Sequence, residues 1–422
     1  MPPGNETGLI LEHLFRHQSS RILAHLTRLL GPAHLELAEE AVQEAMLRAW
    51  QTWPYQGMPE NPPAWLFRVA HNAAIDAVRR NRIGGRKNAT VLAALSVPPE
   101  SVPDFEGQLR DDELRLVFMC CHPGIPREAR VALSLRIAGG FSVREIARAL
   151  LADDAAIAQR LVRAKRTIRD QHLTLDMLQG AELRQRLDSV IEVIYLMFNE
   201  GYTAHEGEDL IRTDLCFEAL RLGQLIASSS IAEPRVHALM ALMAMQAARL
   251  PARTDEAGDL ILLEDQDRSR WDRNLIAIGF RHFDRAIEGD EASEYHVQAA
   301  IAAIHARAED RDSVDWSAIL DLYDQLFVMN PSPVVALNRA VALSRVRGPA
   351  DALLSIEALQ LDGYYLFHTV RGHLLLELSR YAEAAGCFGD ALRCRCSEPE
   401  RRFIRRKMES YLPGALSGSV NR

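Results

Sequence analysis

Residues 127–169 read REARVALSLRIAGGFSVREIARALLADDAAIAQRLVRAKRTIR, and this stretch decides the fold of the front of the chain. Gly139-Gly140 stops one helix, because glycine accepts the left-handed backbone that ends helices. Ser142 then caps the next, with Glu145 three residues on to complete a capping box. That helix carries Val143, Ile146, Ala147 and Leu150 on one face. Asp153 caps a third helix whose inward side is Ile157, Leu161, Ala164 and Ile168. Its other side shows Ala158, Gln159, Arg160, Val162, Arg163, Lys165, Arg166 and Arg169. From Ala155 to Arg169 there are five basic residues and no acidic one. Two short helices, the second with an acid-free basic face, have the layout of a helix-turn-helix. Basic side chains supply phosphate affinity there, and a few neighbours read base edges. Leu151 stands in the turn where a glycine is common.

Working outward, two further amphipathic helices precede this pair. In LAEEAVQEAMLRAW (37–50), Leu37, Ala41, Val42, Ala45, Met46 and Ala49 make the apolar face and Glu39, Glu40, Gln43, Glu44 and Arg48 the polar one. In AWLFRVAHNAAIDAVRRNR (64–82) the expected core is Leu66, Val69, Ala70, Ala73, Ile75, Ala77 and Val78, and the helix ends in a basic run. Trp50, Trp53, Tyr55 and Trp65 lie beside it. Aromatics next to a basic helix can stack on unpaired bases, although each alone is as easily a core residue.

Apolar residues recur at three- and four-residue intervals from Leu9 to about Arg82, from Leu109 to Arg169, and from Leu183 onward, which predicts an all-α protein. Residues 83–108 hold Pro98, Pro99 and Pro103 without helical period and read as a linker. The expected organisation is therefore 1–82, a linker 83–108, a helix-turn-helix domain 109–175, and a helical array 180–415. In the array, Gly372, Ala384, Phe388 and Ala391 repeat the spacing of Ala340, Ala352, Ile356 and Leu359 one unit upstream. Small residues where paired helices touch, with a larger one filling the gap, are the tetratricopeptide (TPR) pattern.

The net charge of −8 conceals an asymmetry: residues 1–175 hold 22 basic against 19 acidic side chains, and the remainder 27 against 38. Nucleic-acid contact belongs to the front, and the acidic array argues against it there. Six thinly spread cysteines suit a reducing compartment. Neither Cys120-Cys121-His122 nor Cys394-Arg395-Cys396 has the spacing of a zinc site. The start MPPGNETGLI lacks the basic and apolar segments of a secretory signal, and no run is long and apolar enough to span a bilayer. A cytoplasmic protein without membrane contact is expected. Glu264, Asp265, Asp267 and Asp272 could hold a cation, but Arg268, Arg270 and Arg273 interleave them, and ion pairs at helical spacing explain the group as well. With no nucleophile–base pair or phosphate loop nearby, neither an enzyme nor a cofactor is expected.

Together, AEEAVQEAMLRAW, WLFRVAHNAAIDAVRRNR and GGFSVREIARALLADDAAIAQRLVRAKRTIR resemble, in order and spacing over residues 9–172, the extracytoplasmic-function (ECF) sigma factors. The segments Ile194–Tyr202 and Leu262–Asp272, followed by TPR-like helices, resemble the ECF subgroup with a long C-terminal helical extension. The resemblance implies that residues 1–82 are sigma region two and 109–175 region four, and that the partners are core RNA polymerase, at its β′ clamp and β flap, and promoter DNA. It places Glu40, Gln43 and Glu44 against the polymerase clamp, and Asn72, Asp76, Arg79 and Arg80 at the −10 side. The loop from about Thr52 to Pro63 falls where a flipped −10 base is held. Ala158, Gln159, Val162 and Arg163 match the groove-facing positions at the −35 side, with Arg160 and Lys165 as phosphate or positioning contacts. The extension would regulate activity, by binding a regulatory protein or region two of its own chain. A helix-turn-helix regulator with a TPR-like sensor, outside the polymerase, is the competing reading and leaves residues 37–82 unexplained.

Overall fold

A computed structural model describes residues 18–80, 105–150, 152–175, 180–202 and 211–411. Among them every regular element is helical, as the periodicity predicts. The chain forms two compact units, Met1–Leu196 and Met197–Arg422. The expected boundary near Gly180 instead starts a 23-residue helix, Gly180–Tyr202, and the units divide within it. No helix among the described residues is long and apolar enough to cross a membrane.

The first unit begins with α1 (18–30), followed by α2 (Leu35–Gln56) and α3 (Pro62–Arg80), which pack as a pair. Helix α2 buries Leu37, Ala38, Ala41, Val42, Ala45, Ala49 and Trp53. It runs through Pro54 to Gln56 and stops at Gly57, whose φ of 83° only glycine adopts freely. The expected loop from Thr52 is therefore shorter, because a proline so near a helix end breaks no more than the final turn. Helix α3 buries Leu66, Phe67, Ala70, His71, Ala74 and Val78. The expected core positions Val69, Ala73, Ile75 and Ala77 are only half-buried, so the face is rotated toward Phe67 and His71. Phe67 lies between His25 and His71, with ring centroids 5.1 and 5.9 Å away. Burial, and then the neighbouring His25, push the His71 pKa down.

Residues 81–104, most of the expected linker, lie outside the described residues. Its last residues are helical, since α4 spans Phe105–Cys120. Helix α4 is docked on α1 through polar contacts that neither helix reveals by its own pattern. His25 Nδ1 hydrogen-bonds Asp112 Oδ2 at 2.9 Å, Arg28 Nε reaches Asp112 Oδ1 at 2.8 Å, and Ser20 Oγ donates to Glu113 at 3.4 Å. Asp112 is 2% exposed, so without these partners its charge would be too costly to bury. Then come α5 (Arg127–Ile137), α6 (Val143–Ala149) and α7 (Asp154–Asp170), followed by α8 (Gly180–Tyr202).

The second unit is a run of helices: α9 (Thr213–Ala227), α10 (Pro234–Ala247), α11 (Arg273–Ala286), α12 (Glu294–Arg307), α13 (Trp316–Met329), α14 (Pro333–Arg347), α15 (Pro349–Ile356), α16 (Tyr365–Glu377), α17 (Tyr381–Arg393) and α18 (Glu398–Tyr411). The repeat pattern appears where the spacing places it. Ala340, Ala352, Ile356, Ala384, Phe388 and Ala391 are completely buried, and Leu359 packs on the same core. A Cβ on Gly372 would come within 2.9 Å of the Phe388 ring, so the absence of a side chain lets α16 and α17 close on each other. The two segments that mark the extension are structural. Arg249 donates to the Tyr202 hydroxyl, and the Arg253 guanidinium lies 3.9 Å over its ring. Asp272 caps α11 through the N–H groups of Asn274 and Leu275.

Two outcomes follow. Replacing Asp112 by alanine removes the shared partner of His25 and Arg28 and should cost about 3 kcal/mol of first-unit stability, read by urea unfolding. In the second unit, burial first and nearby basic groups next hold His282, His305 and His373 at about 4. They stay neutral in the fold, while the unfolded chain takes up protons below about pH 6.5. Stability is therefore lost as pH falls from about 6.5 toward 4. Calorimetry should show the unfolding midpoint dropping by about 5 °C or more between neutral pH and about pH 5.

Candidate nucleic-acid and polymerase interface

The helix-turn-helix is built as its caps dictate. Helix α5 ends at Ile137, Gly140 takes a φ of 68°, and α6 starts with both halves of a capping box: the Ser142 hydroxyl accepts from the Glu145 N–H while the Glu145 carboxylate accepts from the Ser142 N–H. Asp153 stands at the N-cap of α7 but makes no side-chain hydrogen bond there, contrary to the expected cap. Leu151 lies outside the described residues. Helix α7 buries the four predicted residues, Ile157, Leu161, Ala164 and Ile168, and packs on both α5 and α6.

The opposite face of α7 divides into two groups. Gln159, Val162, Arg163, Arg166 and Arg169 are exposed, Val162 at 64%. Arg163 donates to Gln159 Oε1 at 3.4 Å, so the two polar groove-facing candidates are aligned on one another. Arg166 and Arg169 share Asp170, at 3.0 and 3.6 Å. Ala158, Arg160 and Lys165 are half-buried instead. Arg160 pairs with Glu128 at 3.2 Å, and Lys165 pairs with Glu39 of α2.

Glu39 is the residue that the sequence gives no reason to single out. Its side chain is 11% exposed, and besides Lys165 it faces Arg136 Nε at 3.7 Å. One carboxylate thus joins α2 to both α5 and α7. Beside it opens a groove of about 510 Å³ lined by Glu39, Val42, Gln43 and Met46 of α2 and by Arg136, Ile137 and Gly140. Among the polymerase-facing candidates, Glu40 and Gln43 are exposed and Glu44 is half-buried, held to Arg48 at 2.7 Å. The rim carries Leu47 at 54% exposure and Trp50 at 70%, more apolar surface than solvent alone would favour.

The −10-side candidates Asn72, Asp76, Arg79 and Arg80 are all exposed, at steps that place them on one side of α3. One of the aromatics is core: Trp53 is buried and meets the half-buried Trp65 edge-on at 5.4 Å. Tyr55, 89% exposed, and Met58, 57% exposed, stand free at the α2–α3 turn, where an unpaired base could be stacked. The acidic group of the second unit is not gathered on a cation. Asp267 and Asp272 cap helix starts, and Glu264 pairs with Arg345. Arg268, one of the interleaved arginines, donates to the carbonyls of His305 and Ala308 instead of forming a helical-spacing ion pair. Among the described residues no cluster of three metal-ligating side chains occurs, and the six cysteines are free thiols.

Comparison with known proteins agrees with this geometry. Residues 14–83 match the sigma-70 region 2 family and residues 115–168 the sigma-70 region 4 family, while 186–287 match a family of unknown function, DUF6596. An uncharacterized protein of Rhizobium meliloti (strain 1021) is 42% identical over 391 residues, covering 89% of this chain and 90% of its own length. The ECF RNA polymerase sigma factor SigK of Mycobacterium ulcerans is 29% identical over 157 residues, 37% of this chain and 82% of its own. SigK of Mycobacterium tuberculosis (strain H37Rv) is 28% identical over the same length. No solved structure matches. The region 2 match covers the residues that a regulator outside the polymerase leaves without a role. Sigma factors bind core RNA polymerase and promoter DNA and are not enzymes. With both promoter-reading regions present in order, and a helical extension behind them, this chain belongs to the ECF sigma factors of the sigma-70 family.

Proposed function

We propose that this sigma factor docks on the β′ clamp of the polymerase through Glu40, Gln43 and Glu44, with region four on the β flap. It reads the −10 element with Asn72, Asp76, Arg79 and Arg80, and the −35 element with α7. Supporting this is the division of α7 itself: four apolar residues inward, and Gln159, Val162, Arg163, Arg166 and Arg169 outward. Gln159 and Arg163 supply the hydrogen bonds to base edges, while Ala158 and Val162 offer apolar contact, and shape readout of a stiff duplex supplements them. Arg166 and Arg169, exposed and paired only with Asp170 at the end of the same helix, are the phosphate contacts nearest to hand. Arg160 and Lys165 join them only after leaving Glu128 and Glu39.

That exchange gives the molecule a sequence of events. While Glu39 holds Lys165 and Arg136, α7 is tied to the helix that carries the polymerase-facing residues. Docking of α2 on the clamp competes for the same end of that helix and frees Lys165 for DNA. Each reading helix offers few phosphate contacts, so each binds DNA weakly alone; one polymerase holding both raises their effective concentration at the promoter. The place of action is the cytoplasm, where polymerase and promoter are. The acidic second unit regulates this step, by receiving a regulatory protein on its helical array.

In reconstituted transcription with core polymerase, Arg163→Ala should lower output from a promoter by about tenfold, with the loss confined to the −35 base facing it. Charge reversal at Glu40 and Glu44 together should abolish polymerase binding in a pull-down while leaving the fold intact. Glu39→Gln should raise the affinity of the free protein for promoter DNA by about threefold, since it releases Lys165. Equal affinity of variant and parent would sink the competition between the ion pair and DNA.

A further inference from the structure

The second unit contains a cavity of about 460 Å³ that promoter recognition does not use. It lies where α12, α13 and α14 meet the segment 262–268. Its volume falls within the range of small-molecule sites, roughly 300–1,000 Å³. The walls are apolar, with Val314 and Ile319 buried and Val341 half-buried, and Trp316 adds a flat surface.

Its polar groups do not balance. Five charged side chains line it. Glu264 is neutralised by Arg345, whose guanidinium also lies 5.8 Å from the Trp316 ring centre, and Asp312 faces Arg311 at 3.6 Å. Arg268 remains. It donates to the carbonyls of His305 and Ala308, at 2.6 and 3.0 Å, and stacks over Trp271 at 4.6 Å. Asp310 acts on it electrostatically, but no ion pair forms between them. Hydrogen bonds to neutral carbonyls orient a guanidinium without cancelling its charge. His305, on the same wall, is 7% exposed, and its buried Nδ1 has no hydrogen-bond partner among the described residues. A half-buried cation and an unpartnered buried ring nitrogen, in a cavity with a flat apolar floor, are the complement of one kind of guest.

We propose that this cavity binds a small planar, apolar monoanion, a carboxylate in the simplest case: its charge sits against Arg268, and its flat body lies on Trp316 between Val314, Ile319 and Val341. A cation would meet the excess positive charge of the lining, and a neutral molecule would leave Arg268 without an ion pair. The inference stands apart from promoter reading, and its test uses no polymerase. It gives the second unit a chemical signal to receive.

The test is calorimetric titration of the full chain with naphthoate and with its uncharged amide, naphthamide. Naphthoate should bind at one site per chain, about tenfold or more tighter than the amide. Val341→Phe fills the cavity and should lower naphthoate affinity by about tenfold. Asn338→Trp, on the exposed rim, should do the same without touching the core. Arg268→Met keeps the apolar stem and should erase the preference for the carboxylate. Far-UV circular dichroism establishes that each variant is folded. No saturable binding of either probe overturns the proposal. So does equal affinity for both in the parent, or undiminished naphthoate binding in folded Val341→Phe and Asn338→Trp.

Discussion

The first unit depends on carboxylates of one segment meeting cations of another far along the chain. Asp112 is nearly inaccessible and bonded to both His25 and Arg28; Glu39 is mostly covered and set between Lys165 and Arg136. A covered carboxylate is tolerated only when its partners are fixed, so each pair specifies where its helices sit. Asp112 brings α4 onto α1, and Glu39 brings the helix-turn-helix against α2. Region two and region four thus form one compact body across a linker whose composition suggests independence.

The two carboxylates differ in what they permit. Asp112 is enclosed, and losing a partner leaves a charge with nowhere to go. Glu39 and Lys165 retain 11% and 19% exposure, against 2% for Asp112, so their pair borders solvent where that of Asp112 does not. A contact of the first kind holds a fold, and one of the second kind suits the exchange for polymerase or DNA proposed above. The acidic second unit shows the same economy of charge. Several of its carboxylates are caps or ion pairs, and Arg268, which donates to carbonyls instead, differs in this from Arg345 beside it.

Much of this was legible in the sequence, and the parts that were not share one cause. The capping box of Ser142 and Glu145, the buried series Ile157, Leu161, Ala164 and Ile168, and the fit of Gly372 to Phe388 are written at helical spacing, because each partner lies within a few turns or one hairpin. The inward face of α3 is turned from the one its own pattern indicates: Phe67 and His71 are buried because His25 of another helix completes their environment. Lys165 and Arg160 read as phosphate or positioning contacts, since nothing local announces that Glu39 and Glu128 hold them. The loop at Thr52 was overextended because proline signals a break, although Pro54 sits in a last turn that tolerates it. Local pattern gives helices and faces; pairing across 126 residues is a property of the folded chain.

In the mechanism we propose, the Glu39 contact holds α7 against α2 until polymerase takes its place. Spin labels on exposed positions of α2 and α7, measured by pulsed electron resonance, test it directly. One short distance is expected in the free protein, and a longer, well-defined one when core polymerase is added. An unchanged short distance in a transcribing holoenzyme would contradict it.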